Sequence, residues 1–237
     1  MNEESKTVDK AEARSENPLM NLIVNIVIPS VVLMKFSGEE YLGPTRGLVI
    51  ALAFPLVYGI VDFVKSKKVN FISILGFVSV LFTGVVGLME LDAHLIAIKE
   101  AAIPLIIGLA IIISLKTPFP LVRKLIYNDK ILDVAKISTN LEERGNSVAF
   151  EKKLVLASYL LAGSFFLSAV LNYVLARIIL VSDPGTVAFN EELGKMTAYS
   201  FPVIALPSTL IMLLILWFLI NRIKRLTGLE LQDIFRN

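Results

Sequence analysis

The chain has 237 residues, no cysteine, one histidine and a net charge of +2, with 55% hydrophobic and 19% charged residues and a mean hydropathy of +0.72. This excludes a disulfide framework, a thiolate nucleophile and a multi-histidine metal centre. So small a charge, carried by residues at the ends of apolar runs, also argues against nucleic acid as a partner. A soluble domain carries nearer ~25% charged residues, and the apolar surplus falls in blocks of roughly 18–28 residues, which is bilayer length. The expected fold class is therefore all-α, a polytopic membrane protein of about six transmembrane helices.

Residues 1–17 are polar and charged without apolar periodicity and read as a disordered tail. They do not read as a cleavable signal, because no small-residue cleavage site follows the first apolar run. The first predicted span runs from Pro18 to Phe36, with Asn21 and Asn25 on one face and Pro29 freeing the carbonyl of Asn25. The second, Gly43–Val64, closes on Lys65, Lys67 and Lys68, beside which Asp62 stands as an interfacial partner of Lys65. The third runs from Phe71 to Met89, with Ser79, Thr83 and Gly87 spaced for close helix packing.

The fourth span, from Ile98 to Leu115, follows the charged stretch Glu90, Asp92, His94, Lys99 and Glu100. Pro104 releases the carbonyl of Glu100, which lies one turn inside the outer mouth. The spacing suggests a polar outer vestibule of Glu90, Asp92, His94 and Lys99; ordinary ion pairs beside a proline kink would leave the same pattern. Leu121, Arg123, Lys124, Leu125 and Ile126 suggest a short amphipathic helix on the membrane surface, with Arg123 and Lys124 at the cytoplasmic interface. Mixed-charge residues then form the longest connection, closed by the turn signal Gly145-Asn146.

The fifth span, from Lys153 to Val181, carries Ser164, Ser168 and Asn172 at four-residue steps, then Tyr173 and Arg177. A polar stripe in lipid faces other helices or water. It either glues helices together, with Arg177 snorkelling, or lines a cavity. Asn25, Glu100, Asn172 and Arg177 are the candidates for one polar cavity or lipid-headgroup site. Ser182-Asp183-Pro184-Gly185 reads as a turn, Asn190–Lys195 as a polar connection, and Thr197–Ile220 as the sixth span, with Trp217 at interface depth.

Six spans place both termini on one side. Eighteen of the 23 lysines and arginines then share that side, which the positive-inside rule makes cytoplasmic. The layout expected is a tail (1–17), four spans with an interfacial helix (18–127), a cytoplasmic loop (128–152), two spans (153–225) and a cytoplasmic tail (226–237). No phosphate-cradling glycine loop, Ser-His-Asp set or catalytic carboxylate pair is present, so neither enzymatic activity nor a cofactor or metal is expected.

From Pro55 onward the chain resembles the intracellular septation protein A family of bacterial inner-membrane proteins. The resemblance rests on Val57–Lys68, on Asp92–Lys99, on Pro120-Leu121-Val122-Arg123-Lys124-Leu125 and on Ala169-Val170-Leu171-Asn172-Tyr173, in that order along the chain. It implies a multi-pass protein of the bacterial inner membrane, concerned with septation and cell-envelope integrity. It also implies contacts with envelope-synthesis or division proteins, for which the central loop over 128–150 is the natural surface; membrane lipids are the other partners expected. A small transporter or lipid-handling protein is the alternative.

Overall fold

The computed structural model describes residues 18–66, 71–117, 120–125, 127, 129 and 132–235. The tail expected at 1–17 and Ile126 of the interfacial helix lie outside them. Among the described residues the fold is all-helical, with one isolated β-bridge between Leu132 and Phe235. The chain divides into two compact units, Met1–Ala93 with Ile179–Ala198, and His94–Ile178 with Tyr199–Asn237.

In the first unit, α1 (Pro18–Leu22) passes through a π-helical turn (Ile23–Val27) into α2 (Ile28–Phe36). A proline ring collides with the carbonyl four residues back in a regular helix, and one extra residue in the turn relieves that collision. Ile28 donates its N–H to the carbonyl of Ile23. Pro29 has no N–H, so the carbonyl of Val24 loses its helical donor at both i+4 and i+5. The π register thus moves to Val24 the role that the sequence assigns to Asn25.

The turn after α2 closes where Tyr41 and Gly43 both donate to the Gly38 carbonyl at 3.0 Å. Gly43, at φ 72°, takes the left-handed conformation that starts α3 (Gly43–Ser66). α4 (Phe71–Leu88) follows. A side chain at Gly87 would strike Leu48 and meet the fully buried Phe189 at 3.5 Å. Leu48, Val86 and Phe189 therefore join α3, α4 and the start of α9 (Val187–Ser200) in one core. A Cβ at Gly194 would lie 2.9 Å from the carbonyl of Ser30, so α9 crosses α2 almost backbone to backbone.

In the second unit, α5 (His94–Ser114) and α8 (Ser147–Ile179) run antiparallel. The rings of His94 and Tyr173 meet at one end, and Gly108 faces Phe166 and the carbonyl of Ala162 further along. At some 50 Å, by ~1.5 Å per residue over its 33 residues, α8 outruns a hydrocarbon core of about 30 Å. Its surplus turns pack into a small cap at the end where α8 begins. There α6 (Leu121–Leu125), α7 (Val134–Glu143) and α11 (Leu231–Ile234) meet α8 and α10 (Leu206–Thr227).

The cap changes the reading of the central connection. What reads as a loop over 128–152 holds a helix, capped by Asp133 accepting from the Lys136 N–H at 3.0 Å. Ile137 and Leu141, four apart, bury one face of α7, while Lys136, Ser138, Thr139, Glu142 and Glu143 occupy the exposed side. The tail expected at 226–237 is packed too. Gly228 (φ 72°) ends α10, the Asp133 N–H donates to the Ile234 carbonyl at 2.9 Å, and the Ile234 side chain is fully buried.

Among the described residues five helical stretches have the length and apolarity to cross a membrane: Leu19–Phe36, Gly43–Val64, His94–Ser114, Ser147–Ile179 and Val187–Thr227. The predicted third span is the 18-residue α4, in which Ile74–Leu88 forms a shorter apolar helix. The fifth begins six residues before Lys153, inside the cap. The sixth is longer than expected, because Asn190–Lys195 is helical and a second π-helical turn (Phe201–Ala205) joins α9 to α10.

That second turn repeats the first. Leu206 donates to the Phe201 carbonyl, and Pro207 supplies no N–H. The carbonyl of Pro202 therefore loses its donors as that of Val24 does. The shared pattern is Ile, a small or β-branched apolar residue, a larger aliphatic residue, Pro, Ser, at 26–30 and again at 204–208.

Candidate functional site

The ionisable groups inside an apolar helix come first, because such groups are costly there and mark function by default. α5 carries Lys99 and Glu100 within a stretch that is otherwise almost entirely apolar. Their side chains pair at 2.7 Å, with 12% and 28% of the side-chain surface exposed. Adjacent residues on a helix do not face each other, so both side chains fold back to meet. Pro104, buried four residues on, removes the N–H that would bond the Glu100 carbonyl. A charge pair and a released carbonyl thus share one turn.

The antiparallel partner brings Ser168 and Asn172 to that depth, to within about a turn. Asn172 Nδ2 donates to the Ser168 carbonyl at 2.8 Å and lies 3.4 Å from Ser168 Oγ, so its donor side satisfies its own helix. One turn further, the His94 ring stands edge-on to Tyr173 with centroids 5.9 Å apart. Beyond Tyr173, Arg177 is exposed, and among the described residues no carboxylate pairs with it. His94, Asn172, Tyr173 and Arg177 are thus distributed along the paired ends of α5 and α8, and the Lys99–Glu100 pair with the carbonyl released by Pro104 makes a polar seat in the second unit.

The other candidates belong to the first unit or to the cap. Asn25 belongs to the first unit, where its Nδ2 donates to Asn21 Oδ1 at 3.0 Å. Glu90 and Asp92 are also in the first unit, whereas His94 and Lys99 open the second. Both acids are exposed, and Glu90 takes a left-handed φ of 53° with its side chain folded against Gly185. Asp62 is half-buried, and the side chain of its expected partner Lys65 lies outside the described residues, as does that of Lys124. Arg123 is exposed and pairs with Glu151. Among the described residues no three His, Asp or Glu side chains are grouped as a metal site would need.

Sequence reasoning missed two polar groups that organise the first unit. Asn190, 1% exposed, donates to Ser37 Oγ at 3.1 Å and to the Pro44 carbonyl at 2.7 Å. The Glu192 carboxylate accepts from the N–H groups of Val181 and Ser182, both at 2.9 Å, and from Ser182 Oγ at 2.7 Å. Both read as part of a solvated connection. The signal lay in the apolar residues interleaved with them: Phe189, Leu193 and Met196 continue a helical face backwards from the span.

In the cap, Tyr127 packs edge-on against Phe150 with centroids 5.1 Å apart, and burial pushes its phenol up to about 12 although Arg123 opposes this. Asp233 is held below the usual carboxylate range by its hydrogen bond from Lys136, whose Nζ lies 2.6 Å away. No family model, curated protein or solved structure matches this chain.

Proposed function

We propose that this chain is a small transporter or lipid-handling protein, and that the seat in its second unit takes the polar part of a solute or amphiphile. The observation that carries this reading is the nearly buried Lys99–Glu100 pair beside the carbonyl released by Pro104. Withdrawing two charges from water is costly, and packing alone would be served as well by apolar residues of the same volume. A lysine–glutamate pair offers donors and acceptors to a zwitterionic or hydrogen-bonding group, and exposed Arg177 at the mouth attracts an anionic one.

The test is untargeted mass spectrometry of the lipids and metabolites that co-purify with wild type and with Lys99→Met/Glu100→Gln. These neutral replacements keep side-chain volume. The expected result is depletion of one species by about tenfold, the worth of one hydrogen bond to a charged group, with the melting temperature kept. Identical profiles would remove the seat from the functional account.

Protein contact of the septation and envelope-integrity kind is the second reading, and the ordered cap favours it. Ser138 and Glu142 stand on the exposed face of α7. Equal partner sets pulled down by wild type and by Ser138→Arg/Glu142→Arg would count against it.

A further inference from the structure

Helix α10 turns one face to its unit and another outward. Ile215, Leu219 and Ile223 are buried. Leu210, Leu214 and Trp217 lie on the outward face at helical spacing, and Trp217 is 65% exposed. Phe218 and Arg222 stand half-buried at the edge of that face, and Arg225 is exposed. From Leu210 to Arg225 α10 rises about 22 Å at ~1.5 Å per residue, close to one leaflet from the bilayer midplane to the headgroups. Trp217 stands at the depth where indole rings gather in membranes.

Above that tryptophan the two arginines are prepared for an anion. The Arg222 guanidinium lies 5.2 Å from the centroid of Phe218, which holds its plane while leaving N–H edges available. The sequence has no acidic residue from 193 to 229. Among the described residues no carboxylate pairs with Arg222 or Arg225, although Arg123 and Lys136 in the same cap are both paired. Among the described residues Arg222 and Arg225 share this lack of a carboxylate partner with Arg144, Lys152, Lys153 and Lys224; what sets them apart is their place on α10 above an exposed apolar stripe, with Phe218 under the Arg222 guanidinium.

The geometry points to an anionic phospholipid bound along α10. Its phosphate sits between Arg222 and Arg225, its glycerol region at Trp217, and its acyl chains run over Leu214 and Leu210. Two fork-shaped guanidinium groups suit a phosphate better than lysines do. This site is separate from the seat at Lys99 and does not rest on it.

The experiment uses the full chain in nanodiscs of equal parts phosphatidylglycerol and phosphatidylcholine with matched acyl chains. Lipid that stays bound after release is counted by native mass spectrometry. Wild type is expected to retain phosphatidylglycerol in excess, by about fivefold for each arginine. Arg222→Gln/Arg225→Gln abolishes the excess, and Arg222→Lys/Arg225→Lys keeps part of it. An undiminished excess in the glutamine pair overturns the proposal. So does inorganic phosphate that protects wild type against heating as well as phosphatidylglycerol does, since the site would then take free anions. Should the glutamine pair melt early in phosphatidylcholine alone, Arg225→Gln at its exposed position carries the test: a loss of about fivefold supports the site and no change overturns it.

Discussion

Lys99 and Glu100 show how much one turn of helix can decide. Removing the lysine alone strands a carboxylate in a site of low polarity, whereas removing both charges strands nothing. Lys99→Met is therefore expected to destabilise by about 2 kcal/mol, less than the ~3–5 kcal/mol of a fully buried pair because Glu100 keeps 28% of its surface exposed. Lys99→Met/Glu100→Gln should lie within about 1 kcal/mol of wild type. Thermal or denaturant unfolding of the four members of this cycle checks it, and additive single and double effects would mean that the two charges do not interact. Tyr127 supplies a second test, through pH. Its folded-state pKa of about 12 stands above the unfolded value of 10.0. Its contribution is therefore fully present below pH 10 and disappears as pH rises towards 12, because the unfolded chain ionises first. Unfolding measured across that window should show a limb of falling stability that Tyr127→Phe lacks. Asp233 acts in the opposite sense: with its pKa lowered by Lys136, what it contributes is lost as pH falls through that lowered value.

At the scale of elements, the two π-helical turns are one device used twice. In each, the residue before a proline donates one step further back than usual, and the proline offers no donor to the next carbonyl. The second turn begins at Phe201, three residues after the first unit ends at Ala198. Pro207→Ala returns an N–H within reach of the Pro202 or Val203 carbonyl. The expected outcome is a slow-exchanging amide at position 207 and a gain of about 1 kcal/mol, read by hydrogen exchange and melting temperature. A fast-exchanging amide there would show that packing around buried Ile204, rather than the missing donor, holds the wide turn. The repeat is visible in the sequence once its meaning is known. Without the structure, Ile-Pro-Ser and Leu-Pro-Ser are two ordinary proline kinks.

At the scale of the whole chain, topology turns on α4. Its 18 residues rise about 27 Å, slightly short of a ~30 Å hydrocarbon core. If α4 spans, six crossings put both termini on the side that carries most of the lysines and arginines. We expect reporters fused to each terminus to be active in the cytoplasm; opposite sides would mean that α4 does not cross. The cap gives a second whole-chain test. A chain ending at Thr227 loses Ile234, the Leu132–Phe235 bridge and the Lys136–Asp233 pair together. Amide exchange should then quicken throughout α7 while α5 keeps its protection. Unchanged protection in α7 would show that Ile137 and Leu141 suffice to hold it.

The sequence by itself determined the membrane-helical class and the position of most apolar stretches, because bilayer thickness and the cost of a buried backbone polar group act on runs of residues regardless of neighbours. It also marked Lys99, Glu100 and Arg177, since a charge inside an apolar run is conspicuous in one dimension. Only the tertiary structure decided which polar groups belong together. Asn25 and Asn172 look alike in the sequence, yet they lie in different units and each bonds its own helix. The cap was hidden for a related reason. Ile137, Leu141 and Ile234 are too few to signal a core, and they form one only because the surplus turns of α8 and α10 offer them an apolar wall. In the cap Arg123 pairs with Glu151 of α8 and Lys136 with Asp233 of α11, whereas among the described residues no carboxylate pairs with Arg222 or Arg225, a distinction that charge counting along the chain does not make.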